Sequence, residues 1–128
     1  MKHEGTPAGR IAGLLGMARR AGKLTAGFDA VASLVSGGTA AAVMVAADLS
    51  EKTEKELRFA ARNHPVPLLR LPLTKEEIGG ALGLRKPVGV LALEDRGFAA
   101  SLQKLTGQEE APAWDGRASR KDDVVYDD

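Results

Sequence analysis

The sequence AGKLTAGFDAV, residues 21–31, contains a predicted junction between a strand and a helix. A short extended run meets Gly27, and an amphipathic helix begins directly after that glycine. A strand–glycine–helix junction exposes free backbone N–H groups and the positive end of a helix dipole, and both favour an anion. Because Arg19, Arg20 and Lys23 precede the glycine, a phosphodiester backbone is the anion we expect. The alternative is that Gly27 only supplies a tight turn.

Length and composition limit the class of protein. The chain has 128 residues, which is enough for one domain with a core of its own, and it has no cysteine for disulfides or thiolate metal sites. The first seven residues contain no apolar signal-peptide region, and no stretch is apolar for long enough to span a membrane. We therefore expect a cytoplasmic protein without membrane association.

The net charge of +1 is unevenly distributed along the chain. Residues 1–105 carry 15 Lys and Arg against 10 Asp and Glu, whereas residues 106–128 carry 3 against 7. A moderately basic body is compatible with nucleic acid, although many soluble proteins have such a charge and bind no polymer. Residues 106–128 also lack apolar periodicity. We predict a flexible leader at 1–7, a domain at 8–105 and a disordered acidic tail at 106–128.

Apolar periodicity within residues 8–105 predicts helices that alternate with strands. Ser50 and Asp95 are predicted N-caps, and Thr74 with Glu77 forms a predicted capping box. The prolines around the run 66–71 place that strand at an edge of the sheet. Short connections and fully apolar strands predict an α/β fold, a three-layer α/β/α sandwich with a small central mixed sheet. The predicted helices cover residues 11–20, 28–36, 51–63, 75–82 and 96–105, and the strands 23–26, 41–47, 66–71 and 88–93.

The side chains offer little for catalysis or metal binding. The two histidines, His3 and His64, lie in the leader and at a helix end, so they cannot form a paired site. Adjacent carboxylates at 76–77 and 94–95 fall in the first turns of helices, where they favour the dipole. No nucleophile motif is visible. We expect a protein that is not an enzyme and has no metal, no cofactor and no small-molecule substrate.

A second basic feature is the turn containing Arg85 and Lys86, directly before the strand at 88–93. Loops at one end of the sheet commonly form the binding surface of such domains. Alone, these two residues would be an ordinary solvated turn. They become candidates for binding if the fold places them beside Gly27.

Aromatic residues are few, and they predict little base stacking. Phe59 and Phe98 are predicted to lie on core faces of their helices. Phe28 is the one phenylalanine that the pattern leaves exposed, at the Gly27 junction.

The order of elements and several motifs resemble a known family. Over residues 8–105 the chain is similar to the superfamily of ribosomal proteins L7Ae and L30e and the Gadd45 proteins, and most closely to its bacterial YlxQ-type branch. The motifs are LGMARRAGKL at 15–24, Gly27 with its helix, VAADLS at 45–50, VPL at 66–68, TKEEIG at 74–79 followed by LG at 82–83, VLAL at 90–93 and DRGFA at 95–99.

The resemblance implies a non-catalytic RNA-binding protein. Several members recognise the kink-turn, a sharply bent duplex with tandem sheared G·A pairs. They present the N-terminus of the second helix, with a glycine, then an Asn-Glu pair and, three residues on, a Lys, and a loop before the last strand completes the contact. Here Gly27 matches, but Asp29, Ala30 and Ser33 stand where Asn, Glu and Lys are expected. Asp29 cannot donate a hydrogen bond, and Ser33 lacks the charge of a Lys.

Three functions remain open at this point. The first is an RNA-binding protein of translation, bound to ribosomal RNA or a kink-turn-containing RNA and to ribosome or translation-factor proteins. The second is a protein-interaction module of the same fold that has lost kink-turn recognition. The third is the substrate-recognition part of an RNA-modifying enzyme, since a similar fold precedes some ribose methyltransferases. The candidate RNA-contacting residues are Arg19, Arg20, Lys23, Gly27, Phe28, Asp29, Ser33, Arg85 and Lys86.

Overall fold

Five helices and four strands alternate along residues 6–107, which are the residues that the computed structural model describes. None of these helices is both long and apolar enough to cross a membrane. The predictions for leader residues 1–5 and tail residues 108–128 lie outside the described residues. The elements are α1 (Pro7–Arg20), β1 (Leu24–Ala26), α2 (Phe28–Ser36), β2 (Ala42–Val45), α3 (Glu51–Ala60), β3 (Leu68–Arg70), α4 (Lys75–Ala81), β4 (Val90–Leu93) and α5 (Arg96–Thr106).

The four strands form one mixed sheet in the order β1-β4-β2-β3. Strand β4 is antiparallel to both β1 and β2, and β3 is parallel to β2. The prolines therefore predict the edge position of β3 correctly. In this register, Ala26, Val45 and Arg70 end their strands where Val90 begins β4. We call this side of the sheet the α2 end, because α2 begins there, and the other side the opposite end.

Helices cover both faces of the sheet, which confirms the three-layer sandwich. Side chains of the two central strands are buried and alternate between two apolar clusters. Ala42, Met44, Leu91 and Leu93 face α1, α4 and α5, whereas Val43, Val45, Val90 and Ala92 face α2 and α3. Strands covered on both faces need continuous apolar sequence, and this explains why these runs show no alternation.

Helices α1 and α5 each extend one residue beyond the positions 8 and 105 that the sequence predicts. Helix α1 begins at Pro7 because the Thr6 side-chain oxygen accepts a hydrogen bond of 3.0 Å from the N–H of Gly9, and proline fits the first helical position. Helix α5 continues through Thr106 and ends at Gly107, whose φ of 73° is left-handed.

The three predicted N-caps are present. The Ser50 and Asp95 side chains accept hydrogen bonds of 3.2 Å and 2.9 Å from the backbone N–H groups three residues later. Thr74 and Glu77 form the reciprocal capping box. Helix α3 stops at Ala60 instead of residue 63, and all four strands are shorter than predicted.

The prediction for Phe59 is wrong, because its side chain is 64% exposed. Leu57 in α3 and Ala61, the residue that caps its C-terminus, are both buried and lie on one face. Phe59 follows Leu57 by two residues, so it lies about 200° around the helix, on the solvent side. There the guanidinium of Arg62 lies 3.8 Å from the centre of the Phe59 ring.

Candidate nucleic-acid interface

The N-terminus of α2 is held open by Gly27. Its φ of 103° and ψ of 143° belong to a region that side-chain-bearing residues rarely adopt, and no side chain caps the helix. A β-carbon on Gly27 would have no atom within 4 Å, so the space beside it is open. The first N–H groups of a helix have no partner within the helix, and the dipole gives them positive potential. This geometry suits an anion.

A single backbone hydrogen bond ties this helix start to the last strand. The N–H of Gly27 donates to the carbonyl oxygen of Val90 at 2.9 Å. Arg85 and Lys86 are exposed in the loop that leads into Val90. Since Lys86 precedes Val90 by four residues, their backbones are at most about 14 Å apart. The basic turn therefore leads directly into the end of β4 that Gly27 contacts.

The basic turn is fixed against α4 by backbone contacts. The N–H of Leu84 donates to the Gly79 carbonyl and the N–H of Val88 to the Lys75 carbonyl, both at 2.9 Å. Between these two hydrogen bonds, the backbone of Lys86 lies very close to α4. A β-carbon added to Gly79 would be 2.0 Å from the carbonyl oxygen of Lys86. The turn consequently presents its side chains from a defined backbone position.

Lys75 is a cation at the α2 end that sequence reasoning missed. It begins α4, and its backbone N–H donates to a carboxylate oxygen of Asp48 at 2.9 Å. The aliphatic part of the Lys75 side chain lies over Gly89. A β-carbon added to Gly89 would be 3.2 Å from the Cδ of Lys75. Gly89 directly precedes Val90. The sequence shows Lys75 only as part of a capping box, and no local signal connects residues 75 and 89.

The outer face of α2 carries the residues that depart from the family pattern. Asp29 and Ser33 are exposed and one turn apart, and buried Val31 and Val35 fix which face of the helix is outward. Phe28 is half-buried and packs against the cluster between the sheet and helices α2 and α3. It therefore offers less surface for stacking than the sequence predicts.

Lys23 lies at the opposite end of the sheet. Its carbonyl accepts a hydrogen bond of 3.3 Å from the N–H of Glu94, which follows the last residue of β4. Strand β1 separates Lys23 from Gly27 by four residues, or about 13 Å of extended chain. Proximity in sequence therefore overstates the proximity of this charge to the helix start.

Arg19 and Arg20 end α1 and are exposed. The Arg19 guanidinium donates to the carbonyl of Leu82 at 3.0 Å, and so satisfies one of the free carbonyls at the end of α4. Leu82 precedes Arg85 by three residues. Arg19 thus belongs to the approach to the basic turn and has a structural partner there.

Comparison with known proteins decides the family. The model of the ribosomal protein L7Ae/L30e/S12e/Gadd45 family matches residues 9–103. The chain belongs to this family. An RNA-binding protein YlxQ from Enterococcus faecium is 35% identical over 92 residues, which cover 72% of this chain and 86% of the relative. The protein of the same name from Bacillus subtilis (strain 168) is 32% identical over 92 residues, covering 72% and 90%.

Two solved structures share the fold of this chain. A protein with unknown function from Bacillus halodurans has a TM-score of 0.69 at 28% identity, covering 77% of this chain and 97% of the other. The Giardia lamblia 15.5kD RNA binding protein has a TM-score of 0.62 at 21% identity, covering 79% and 85%. At that identity the second likeness shows the fold alone. The resemblance inferred from the sequence motifs is confirmed.

Proposed function

We propose that this L7Ae-family protein binds structured RNA at the α2 end of its sheet. The observation that carries the proposal is the 2.9 Å hydrogen bond from Gly27 to Val90, which holds an uncapped helix N-terminus beside the strand that follows the basic turn. Two relatives named as RNA-binding proteins support RNA as the polyanion. The proposed activity is non-catalytic and belongs to translation in the cytoplasm.

The two parts of this surface have different tasks. The first N–H groups of α2 donate to phosphate oxygens, as helix N-termini do in many anion sites. Lys75, Arg85 and Lys86 add charge around them. Contacts to phosphate position a nucleic acid but do not read its bases, so this set supplies affinity and orientation.

We infer that recognition of the kink-turn itself is relaxed. Asp29 brings a negative charge to the helix N-terminus and has no N–H to donate to a base edge. Ala30 and Ser33 lack the polar reach of the Glu and Lys that other members place there. The proposed partners are therefore ribosomal RNA and kink-turn-like RNA, bound through a bent backbone more than through the sheared G·A pairs.

A charge-matched pair of variants tests the location of the site. Arg85→Ala with Lys86→Ala removes one Arg and one Lys at the α2 end, and Lys23→Ala with Arg96→Ala removes the same two charges at the opposite end. Binding is measured by fluorescence anisotropy of a labelled kink-turn RNA at fixed salt. Two exposed contacts of up to about 1 kcal/mol each predict up to about thirtyfold weaker binding for the first variant.

The control variant should lose little affinity. An equal or larger loss in Lys23→Ala with Arg96→Ala would contradict the α2-end site. If neither variant changes binding and the natural protein binds RNA weakly at low salt, the protein-interaction module becomes the better proposal.

A further inference from the structure

An apolar groove of about 440 Å³ opens between the start of α1, the last turn of α5 and the segment after β3. Pro7, Ile11, Leu71 and Leu105 line it, and Arg70 contributes a charged group. Its volume lies within the range of pockets that hold a bound group, roughly 300–1,000 Å³. The groove is on the face covered by α1, α4 and α5, whereas α2 covers the other face of the sheet.

Both ends of the described chain meet at this groove. Pro7, the first residue of α1, and Thr106, the last residue of α5, belong to its lining. Gly107 ends α5 in a left-handed conformation, which turns the chain away from the helix axis. The segment that follows residue 107 therefore starts at the rim of the groove.

That segment contains the side chain best suited to fill the groove. Trp114 is the single tryptophan of the chain and follows Gly107 by seven residues, a reach of up to about 25 Å. Buried tryptophan covers roughly 150–250 Å² of apolar surface. Acidic residues flank it at 109, 110 and 115. The Arg70 guanidinium at the groove already pairs with Glu54 and donates to the Ala46 carbonyl, so the apolar lining and not charge would hold the indole.

We propose that Trp114 docks into this groove and joins the segment after α5 to the start of α1 and the end of β3. A linker of this length keeps Trp114 at an effective concentration on the order of millimolar, so a weak contact is enough to populate the docked state. The rest of the predicted acidic tail needs no fixed structure for this. The proposal does not depend on RNA binding.

Fluorescence tests this proposal directly, because Trp114 is the single tryptophan and reports on no other site. We expect the native full-length protein to show blue-shifted emission and several-fold weaker acrylamide quenching than the urea-unfolded protein. Ala47 is exposed and lines the groove, so Ala47→Glu places a carboxylate in the docking surface. It should make Trp114 accessible, whereas Ala100→Glu, on the exposed face of α5, should not.

Pro72→Glu, at a second exposed groove position, repeats the test in case Ala47→Glu fails to fold. Quenching as strong in the native as in the unfolded protein would overturn the proposal. Protection that survives both groove variants would place Trp114 elsewhere and also overturn it. Protection that disappears on dilution, together with a dimer in light scattering, would show that a second copy fills the groove and would overturn docking within one chain.

Discussion

Replacing Gly27 with alanine tests the backbone geometry on which the proposed RNA-binding surface depends. The φ of 103° is open to glycine but strained for alanine, and the added β-carbon would meet no atom within 4 Å. Any destabilisation therefore comes from the backbone and not from a clash. Holding a residue with a side chain in such a region costs about 1–3 kcal/mol. For a domain of this size that lowers Tm by at least about 4 °C.

Gly13→Ala is the matched control. Gly13 lies inside α1, is exposed and also has nothing within 4 Å of an added β-carbon, but its backbone is helical. Alanine in a helix is favoured over glycine by about 0.5–1 kcal/mol, so this variant should be more stable than the natural protein. The predicted difference in unfolding free energy between the two variants is about 1.5–4 kcal/mol.

Urea unfolding followed by circular dichroism measures both free energies. The Gly27→Ala variant should also bind RNA more weakly at a temperature where it is fully folded, because relief of the strain turns the first N–H groups of α2. If Gly27→Ala is as stable as the natural protein, or gains as much stability as Gly13→Ala, the strained cap is not a feature of this molecule.

The basic turn, the outer face of α2 and the phosphate contacts can each be tested separately. Gly79→Ala should lower the free energy of unfolding in urea by about 1–3 kcal/mol, because the added β-carbon would meet the Lys86 carbonyl at 2.0 Å. Gly80→Ala is the control and should not destabilise the domain, since its β-carbon would meet nothing within 4 Å. Asp29→Asn combined with Ser33→Lys should tighten binding to a kink-turn RNA about tenfold or more. An equal gain in affinity for a plain duplex RNA, in the same anisotropy titration, would mean that added charge alone is responsible. RNA affinity should fall with salt at a log–log slope of roughly −2 to −3, from three phosphate contacts at about −0.7 to −0.9 each; a flat titration would argue against a phosphate-binding surface.

Local sequence signals predict the elements of this fold well. Ser50, Thr74 and Asp95 each precede a helix and cap it, and the prolines correctly assign β3 to an edge. These features depend on a few neighbouring residues, so a sequence shows them directly. Phe59 fails because its helix holds apolar residues on more than one face, and periodicity over ten residues does not decide which face meets the sheet.

Which basic residues lie together at the candidate site depends on the order of the strands in the sheet. Local sequence patterns do not predict that order. Lys23 and Arg85 are both basic and near the junction in the predicted topology, but pairing of β1 with β4 puts Lys23 at the opposite end. The same sheet order brings Lys75 to the α2 end beside Gly89. Family motifs supply the order of elements, and the structure is needed to decide which charges share a surface.

Amide chemical-shift mapping tests the proposed RNA-binding surface most directly. Uniformly ¹⁵N-labelled protein is titrated with a kink-turn RNA, and the shift of each backbone N–H is followed. The largest changes should fall on Phe28, Asp29 and Ala30 in the first turn of α2 and on residues 84–86, 88 and 89 before β4, with Lys75 beside them. Changes concentrated at the opposite end of the sheet, on residues 39–41 and 94–96, would contradict it.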